Sequence, residues 1–172
     1  MTDTAQVTVR PAEATDVDLI YSLIVALAEY ERAPDQVVGT PELLRRWLFG
    51  DTPAAEALIG EVDGEPAGFA LFHGTFSTWE CQPGLWLEDL FVLPEHRNAG
   101  VGRALLSAVA ARVPGADGRL EWAALDWNEL ALGFYRSLGA QQMNDWITHR
   151  LVGEDLARLA AEAPPFAGAA RR

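Results

Sequence analysis

The chain has 172 residues, 49% of them hydrophobic and 22% charged, and carries a formal net charge of -12 at pH 7. That length suits one domain with a real core, and a charge of that sign opposes adsorption to nucleic acid or anionic lipid while attracting cationic small molecules. No apolar stretch approaches the roughly 18–20 residues that span a bilayer, and no basic segment followed by an apolar one opens the chain. The expectation is a cytoplasmic protein without membrane or nucleic-acid partners. Cys81 is the only cysteine, so neither an intrachain disulfide nor a cysteine metal cluster forms. All 13 basic residues are arginine; without lysine there is no Walker phosphate loop and no Schiff-base nucleophile. His73, His96 and His149 lack metal-ligand spacing, and no metal is expected.

Gln6 to Arg10 alternates as a strand and ends at Pro11. From Asp16, read as an N-cap, Leu19, Ile20, Leu23, Ile24 and Leu27 recur on one helical face until Pro34. Thr40-Pro41 opens a second helix through Leu48, stopped by Gly50. Two apolar runs, Ala57 to Val62 and Ala67 to Gly74, flank Asp63-Gly64, a hairpin turn pair, so antiparallel strands are predicted. A polar loop around Ser77 to Pro83 leads to a third long strand, Leu85 to Leu93. A helix from Val101 to Val113, a strand from Leu120 to Leu125, a helix from Leu130 to Leu138 and a late strand from Trp146 to Leu151 follow. Glu154 to Ala163 reads as a terminal helix and residues 164–172 as a flexible tail of one domain spanning 1–172.

Between strand and helix lies Arg97-Asn98-Ala99-Gly100-Val101-Gly102. A dinucleotide fingerprint needs a small residue three positions after Gly102, where Leu105 stands. What is left is a two-glycine loop before a helix whose first N–H groups and positive dipole end suit an anion such as a pyrophosphate. Taken alone, the glycines serve equally to shape a strand-to-helix turn.

This segment resembles the (Arg/Gln)-x-x-Gly-x-(Gly/Ala) signature of the GNAT family of N-acetyltransferases. Leu87 to Arg97 is similar to that family's central strand, and Trp127 to Ala140 to its acceptor-helix motif. The stretch around Tyr30 and the Leu87-Glu88-Asp89 triplet narrow the likeness, over Val7 to Leu151, to the diamine and thialysine acetyltransferase branch. The resemblance implies an α/β (α+β) GNAT fold: a mixed, mostly antiparallel sheet flanked by four to five helices. It also implies transfer of acetyl from acetyl-CoA, without a metal, to a small primary amine by direct attack in a ternary complex, and a homodimer.

Residue by residue, the likeness implies a pyrophosphate resting on the backbone from Asn98 through Ala99, Gly100, Val101 and Gly102 to Arg103, with Arg97 and Arg103 as cationic partners. Asn98 replaces a commoner glycine, and asparagine tolerates left-handed backbone well. Leu90, Phe91 and Val92 offer main-chain groups to the pantetheine arm, as in strand addition, and one N–H to the thioester oxygen. Asn128, Glu129, Leu130 and Ala131 line the cofactor, although Asn128 also suits an N-cap. Tyr135 stands at the general-acid position, with the coenzyme A sulfur as proton acceptor. Glu88 orients the amine or relays its proton through water; the alternative is a surface carboxylate. Tyr30, Glu31, Trp79, Glu121 and Asp145 complete an acidic, aromatic pocket for a cation. Ser77 stands where polyamine-acetylating members often carry an acid, which favours thialysine, lysine-like or other small primary amines over spermidine. Two alternatives stay open: a regulatory protein that binds acetyl-CoA without turnover, and an acetyltransferase acting on protein N-termini or an antibiotic.

Overall fold

The computed structural model describes residues 5–115 and 117–164. Its contacts divide the chain into two units, residues 1–125 and 126–172.

The first unit is built on a five-stranded sheet in the order β1 (Val7–Pro11), β2 (Glu56–Val62), β3 (Glu65–Ser77), β4 (Gln82–Val92) and β5 (Leu120–Trp122). Every neighbouring pair is antiparallel except β4 and β5. Asp63 and Gly64 take φ values of 52° and 87°, the left-handed pair that a two-residue hairpin turn demands. Around the sheet lie α1 (Val17–Tyr30), α2 (Pro41–Phe49) and α3 (Val101–Ala110).

Strand alternation decides which helix covers which face. Ile59, Phe69 and Phe91 join Ile20, Leu23 and Leu48 in one core beneath α1 and α2. Gly60, on the opposite face, faces α3 so closely that a Cβ there would stand 2.7 Å from the Val101 side chain. A side chain at residue 60 would displace Val101, so glycine lets α3 seat closely against β2. Phe69 and Phe72, three residues apart on opposite faces of β3, are both fully buried, each contributing about 1.5–3 kcal/mol of hydrophobic stabilisation.

Asp16 does not cap α1 with its side chain. Its carboxylate accepts two hydrogen bonds from the Arg10 guanidinium, at 2.6 and 2.9 Å, and one from the Glu13 amide. The Arg10 Nε donates to Glu61 at 2.7 Å. One arginine thus joins β1, β2 and the entry to α1, and it holds the Asp16 carboxyl below the usual range.

The second unit contains α4 (Glu129–Ser137) and α5 (Gly153–Ala161). Asn128 caps α4, its Oδ1 accepting from the Ala131 amide at 3.2 Å. The late strand expected from Trp146 to Leu151 is absent: these described residues form no ladder, and Trp146 and Ile147 are exposed. Apolar alternation marks a face that prefers burial, but a strand exists only where another backbone accepts its hydrogen bonds. The expected tail, residues 164–172, lies almost wholly outside the described residues.

Candidate functional site

Two irregularities in the first unit set the site. The first interrupts the pairing of β3 with β4. Leu71 is opposite Asp89 and Phe72 opposite Leu87, so Glu88 is the extra residue of a bulge. The bulge rotates the strand's alternation: Leu87 is buried before it, Phe91 after it, and Glu88 and Asp89 follow one another between. On its other side β4 pairs with β5 only from Leu85 to Leu87. Among the described residues no strand pairs with that edge from Glu88 to Val92, and its main-chain groups face outward from the sheet.

The second irregularity is the turn into α3. Asn98 takes a φ of 67° and Gly100 a φ of 93°, two left-handed residues flanking Ala99. Gly100 is the N-cap, and the first helical hydrogen bond runs from the Ala104 amide to the Gly100 carbonyl at 3.0 Å. The amides of Val101, Gly102 and Arg103 therefore have no intrahelical carbonyl to meet. Asn98, Ala99, Gly100 and Arg103 are exposed. Amides without an intrahelical partner at the positive end of a ten-residue helix fit an anionic diphosphate.

Arg97 is engaged on its own chain. Its Nε donates to the Val92 carbonyl at 3.2 Å, and its guanidinium lies 4.6 Å from the Tyr30 ring centroid and 5.9 Å from that of Phe91. This residue, expected at the phosphates, ties the last turn of α1 to the end of β4 by cation–π contact.

Around the bulge the charge is negative. Burial pushes the Asp89 carboxyl up to about 6, with further contributions from the nearby charges of Glu88 and then Glu31. Burial also raises Glu31. Glu88 is exposed; its Oε2 accepts from the Trp86 indole N–H at 2.9 Å and stands 3.9 Å from the His73 Nε2. The charges of Glu88 and Glu31 add to the cost of ionising Asp89, and a cation such as an alkylammonium would relieve it.

The other expected acceptor residues are more dispersed. Glu121 lies beside Trp86 across the β4–β5 ladder, but Arg119 Nε holds its carboxylate at 2.8 Å. Trp79 is 88% exposed on the Thr78–Cys81 turn of the β3–β4 hairpin, about 20 Å along the strand from the bulge at the rise of an extended chain. Ser77 is buried and closes that turn, accepting from the Glu80 amide at 3.3 Å. Asp145 belongs to the second unit and is exposed. There too, Tyr135 sits half-buried on α4 with its ring 5.3 Å from that of Phe134, and Glu129 and Leu130 are exposed. Among the described residues no three of histidine, cysteine, aspartate or glutamate are grouped to hold a metal ion.

Residues 20–140 match the profile of the acetyltransferase (GNAT) family. This chain belongs to that family. It is 36% identical over 170 residues to a thialysine N-epsilon-acetyltransferase of Bos taurus, a match spanning 92% of this chain and 99% of the relative. A Caenorhabditis elegans protein of the same name is 37% identical over 161 residues, 91% of this chain and 96% of the relative. An L-ornithine N5-acetyltransferase of Arabidopsis thaliana is 29% identical, covering 86% and 85%. Among solved structures, an integron cassette protein from the mobile metagenome of V. cholerae shares the fold with a TM-score of 0.72 at 23% identity, over 90% of this chain and 97% of that one.

The acetyltransferase fold is thus the one the sequence implied, with a mixed sheet of five strands and five helices among the described residues. Two residues at the site were not assigned from sequence. Asp89 has no role of its own in the Leu87-Glu88-Asp89 triplet, and His73 lacks metal-ligand spacing. Two adjacent acids inside an otherwise apolar strand break strict alternation, and that was the available signal for a bulge. His73 carried no such signal, because its neighbour Glu88 is 15 residues away and meets it only through the β3–β4 pairing.

Proposed function

We propose that this enzyme transfers acetyl from acetyl-CoA to the primary amine of a small cationic molecule, with thialysine, lysine-like and ornithine-like amines as the acceptor class. The observation that carries this reading is the grouping of Glu31, Glu88 and Asp89 at the bulge of β4, beside a strand edge left open past Leu87. The names of the relatives, thialysine and ornithine acetyltransferases, point the same way.

Bound acetyl-CoA supplies an activated acyl group as a thioester. The chain's own residues do the rest. Amides from Asn98 to Arg103 hold the diphosphate, and the β4 edge from Leu90 to Val92 holds the amide-bearing arm by strand-like pairing. One β4 N–H donates to the thioester carbonyl oxygen, where negative charge grows. Glu88 orients the amine, and Asp89 with Glu31 attracts and desolvates it. Tyr135 gives a proton to the departing sulfur. Acceptor and donor meet in one ternary complex, with no acyl group parked on Cys81. In this reading the enzyme works in the cytoplasm as a homodimer.

The test is release of free thiol by purified protein with acetyl-CoA and a panel of thialysine, ornithine, lysine, spermidine and spermine. Turnover with the amino-acid amines is expected. Preference for spermine would overturn the acceptor class, and no thiol release with any amine would overturn the reading.

A further inference from the structure

The side chains of His73 and Glu88, on neighbouring strands, approach to 3.9 Å. The His73 Nδ1 is 3.1 Å from the Gly74 carbonyl oxygen. A carbonyl only accepts, so Nδ1 carries the hydrogen of the neutral ring and Nε2 is left with a bare lone pair. That lone pair stands 3.9 Å from Glu88 Oε2, too far for a direct hydrogen bond. The Glu88 oxygen is kept in place by the Trp86 indole N–H at 2.9 Å, and Trp86 is itself the cross-strand partner of His73. Two acceptors at this separation can each make a hydrogen bond of about 2.8–3.0 Å to one donor nitrogen between them. Both side chains are open to solvent, with exposures of 38% and 57%.

We propose that the space between them is a slot that receives the acceptor amine and that His73 is the base that deprotonates it. The inference rests on the amine acetylation proposed above and names the proton acceptor for it. An alkylammonium gives one N–H to Glu88 Oε2 and one to His73 Nε2. A carboxylate is too weak a base to take the proton of an alkylammonium efficiently, and imidazole is the side-chain base most often used for that task. The proton moves from nitrogen to Nε2, and the freed electron pair forms the N–C bond as the C–S bond breaks. The second N–H proton is lost to solvent while Tyr135 protonates the departing sulfur and regains its own proton from solvent, giving amide and thiol. The imidazolium, now with an N–H towards both Gly74 and Glu88, returns its proton to solvent. The charged groups around it are Glu88 on β4, Glu121 on β5 with its partner Arg119, and Asp89 with Glu31 beyond the bulge. Glu88 thus orients the amine and stabilises the imidazolium, as a carboxylate does for a catalytic histidine.

Two measurements test this on the full-length protein. First, His73→Gln is expected to lower kcat about 100-fold, with unchanged acetyl-CoA affinity by calorimetry. It should also flatten the acidic side of the kcat profile, leaving the pH dependence of the amine KM in place, and respond to added imidazole. Second, nitrogen NMR of the three histidines, assigned with the same variant, is read during titration with thialysine in the absence of acetyl-CoA; the His73 Nε2 resonance is expected to move. Wild-type kcat and pH profile in His73→Gln would overturn the role while leaving amine acetylation intact. An Nε2 resonance indifferent to amine would overturn the slot. Should the wild type release no thiol with any amine, the proposed function fails by itself, and the NMR titration still decides whether the slot takes an amine.

Discussion

The Arg97 guanidinium lies 4.6 Å from the centroid of the Tyr30 ring while its Nε donates to the Val92 carbonyl. The loop that opens α3 is therefore joined to the end of α1, beside Glu31, through one side chain. Arg97→Lys keeps the charge but loses the planar fork and the stacking. It is expected to raise KM for both acetyl-CoA and amine, each several-fold, in two-substrate kinetics. An effect confined to acetyl-CoA would mean that Arg97 acts only as a phosphate cation.

Gly100 adopts a φ of 93° with open space where a Cβ would stand. The penalty of a side chain there is backbone strain alone, about 1–2 kcal/mol. Gly100→Ala is expected to lower Tm by a few degrees and to weaken acetyl-CoA binding at least tenfold by calorimetry, because relieving the strain rotates the amides of the α3 turn. Unchanged affinity would separate that turn from the diphosphate.

Asp89 and Asp16 have opposite effects on stability as pH changes. The folded pKa of Asp89, about 6, lies above its unfolded value of about 3.9. Its contribution is full below pH 4 and is lost as pH rises through 6, where a charge must be kept partly buried. Asp89→Asn is expected to raise Tm by a few degrees at pH 7.5 and not at pH 4, while raising the amine KM. In the wild type that KM should rise as pH falls through 6. Melting curves and initial rates check both.

The Asp16 carboxyl is held down by Arg10, so its contribution is present above pH 4 and is lost as pH falls through the folded pKa. Asp16→Asn is expected to cost about 1–3 kcal/mol at pH 7, and the deficit should vanish in strong acid. Urea titrations at pH 7 and pH 2.5 measure it.

Tyr135→Phe is expected to lower kcat by about 100-fold and to leave acetyl-CoA binding intact. Single-turnover thiol release and calorimetry separate the two effects, and an unchanged kcat would remove Tyr135 as the acid.

The sequence made legible what is local. Asp63-Gly64 specified its hairpin, Thr40-Pro41 began α2, and Asn128 capped α4, because each needs only its neighbours in the chain. The tolerance of asparagine for left-handed backbone anticipated Asn98. What depends on a distant partner was hidden. The bulge at Glu88 is a property of two strands in register, and Asp16 looked like a cap until Arg10 folded onto it. Trp146 to Leu151 has a strand's pattern but pairs with no backbone among the described residues. Arg97 carries a motif that resembles a phosphate site, yet its stacking on Tyr30 is set by tertiary structure.

The parting of β5 from β4 after Leu87 has a consequence for handling the protein. A row of peptide groups with no strand partner among the described residues can accept another extended chain, and so is a template for self-association. Acetyl-CoA lying along it would act as a guard, so preparations stripped of nucleotide should be the ones that cloud on storage, and cells starved of acyl donor should hold the enzyme in its stickiest form.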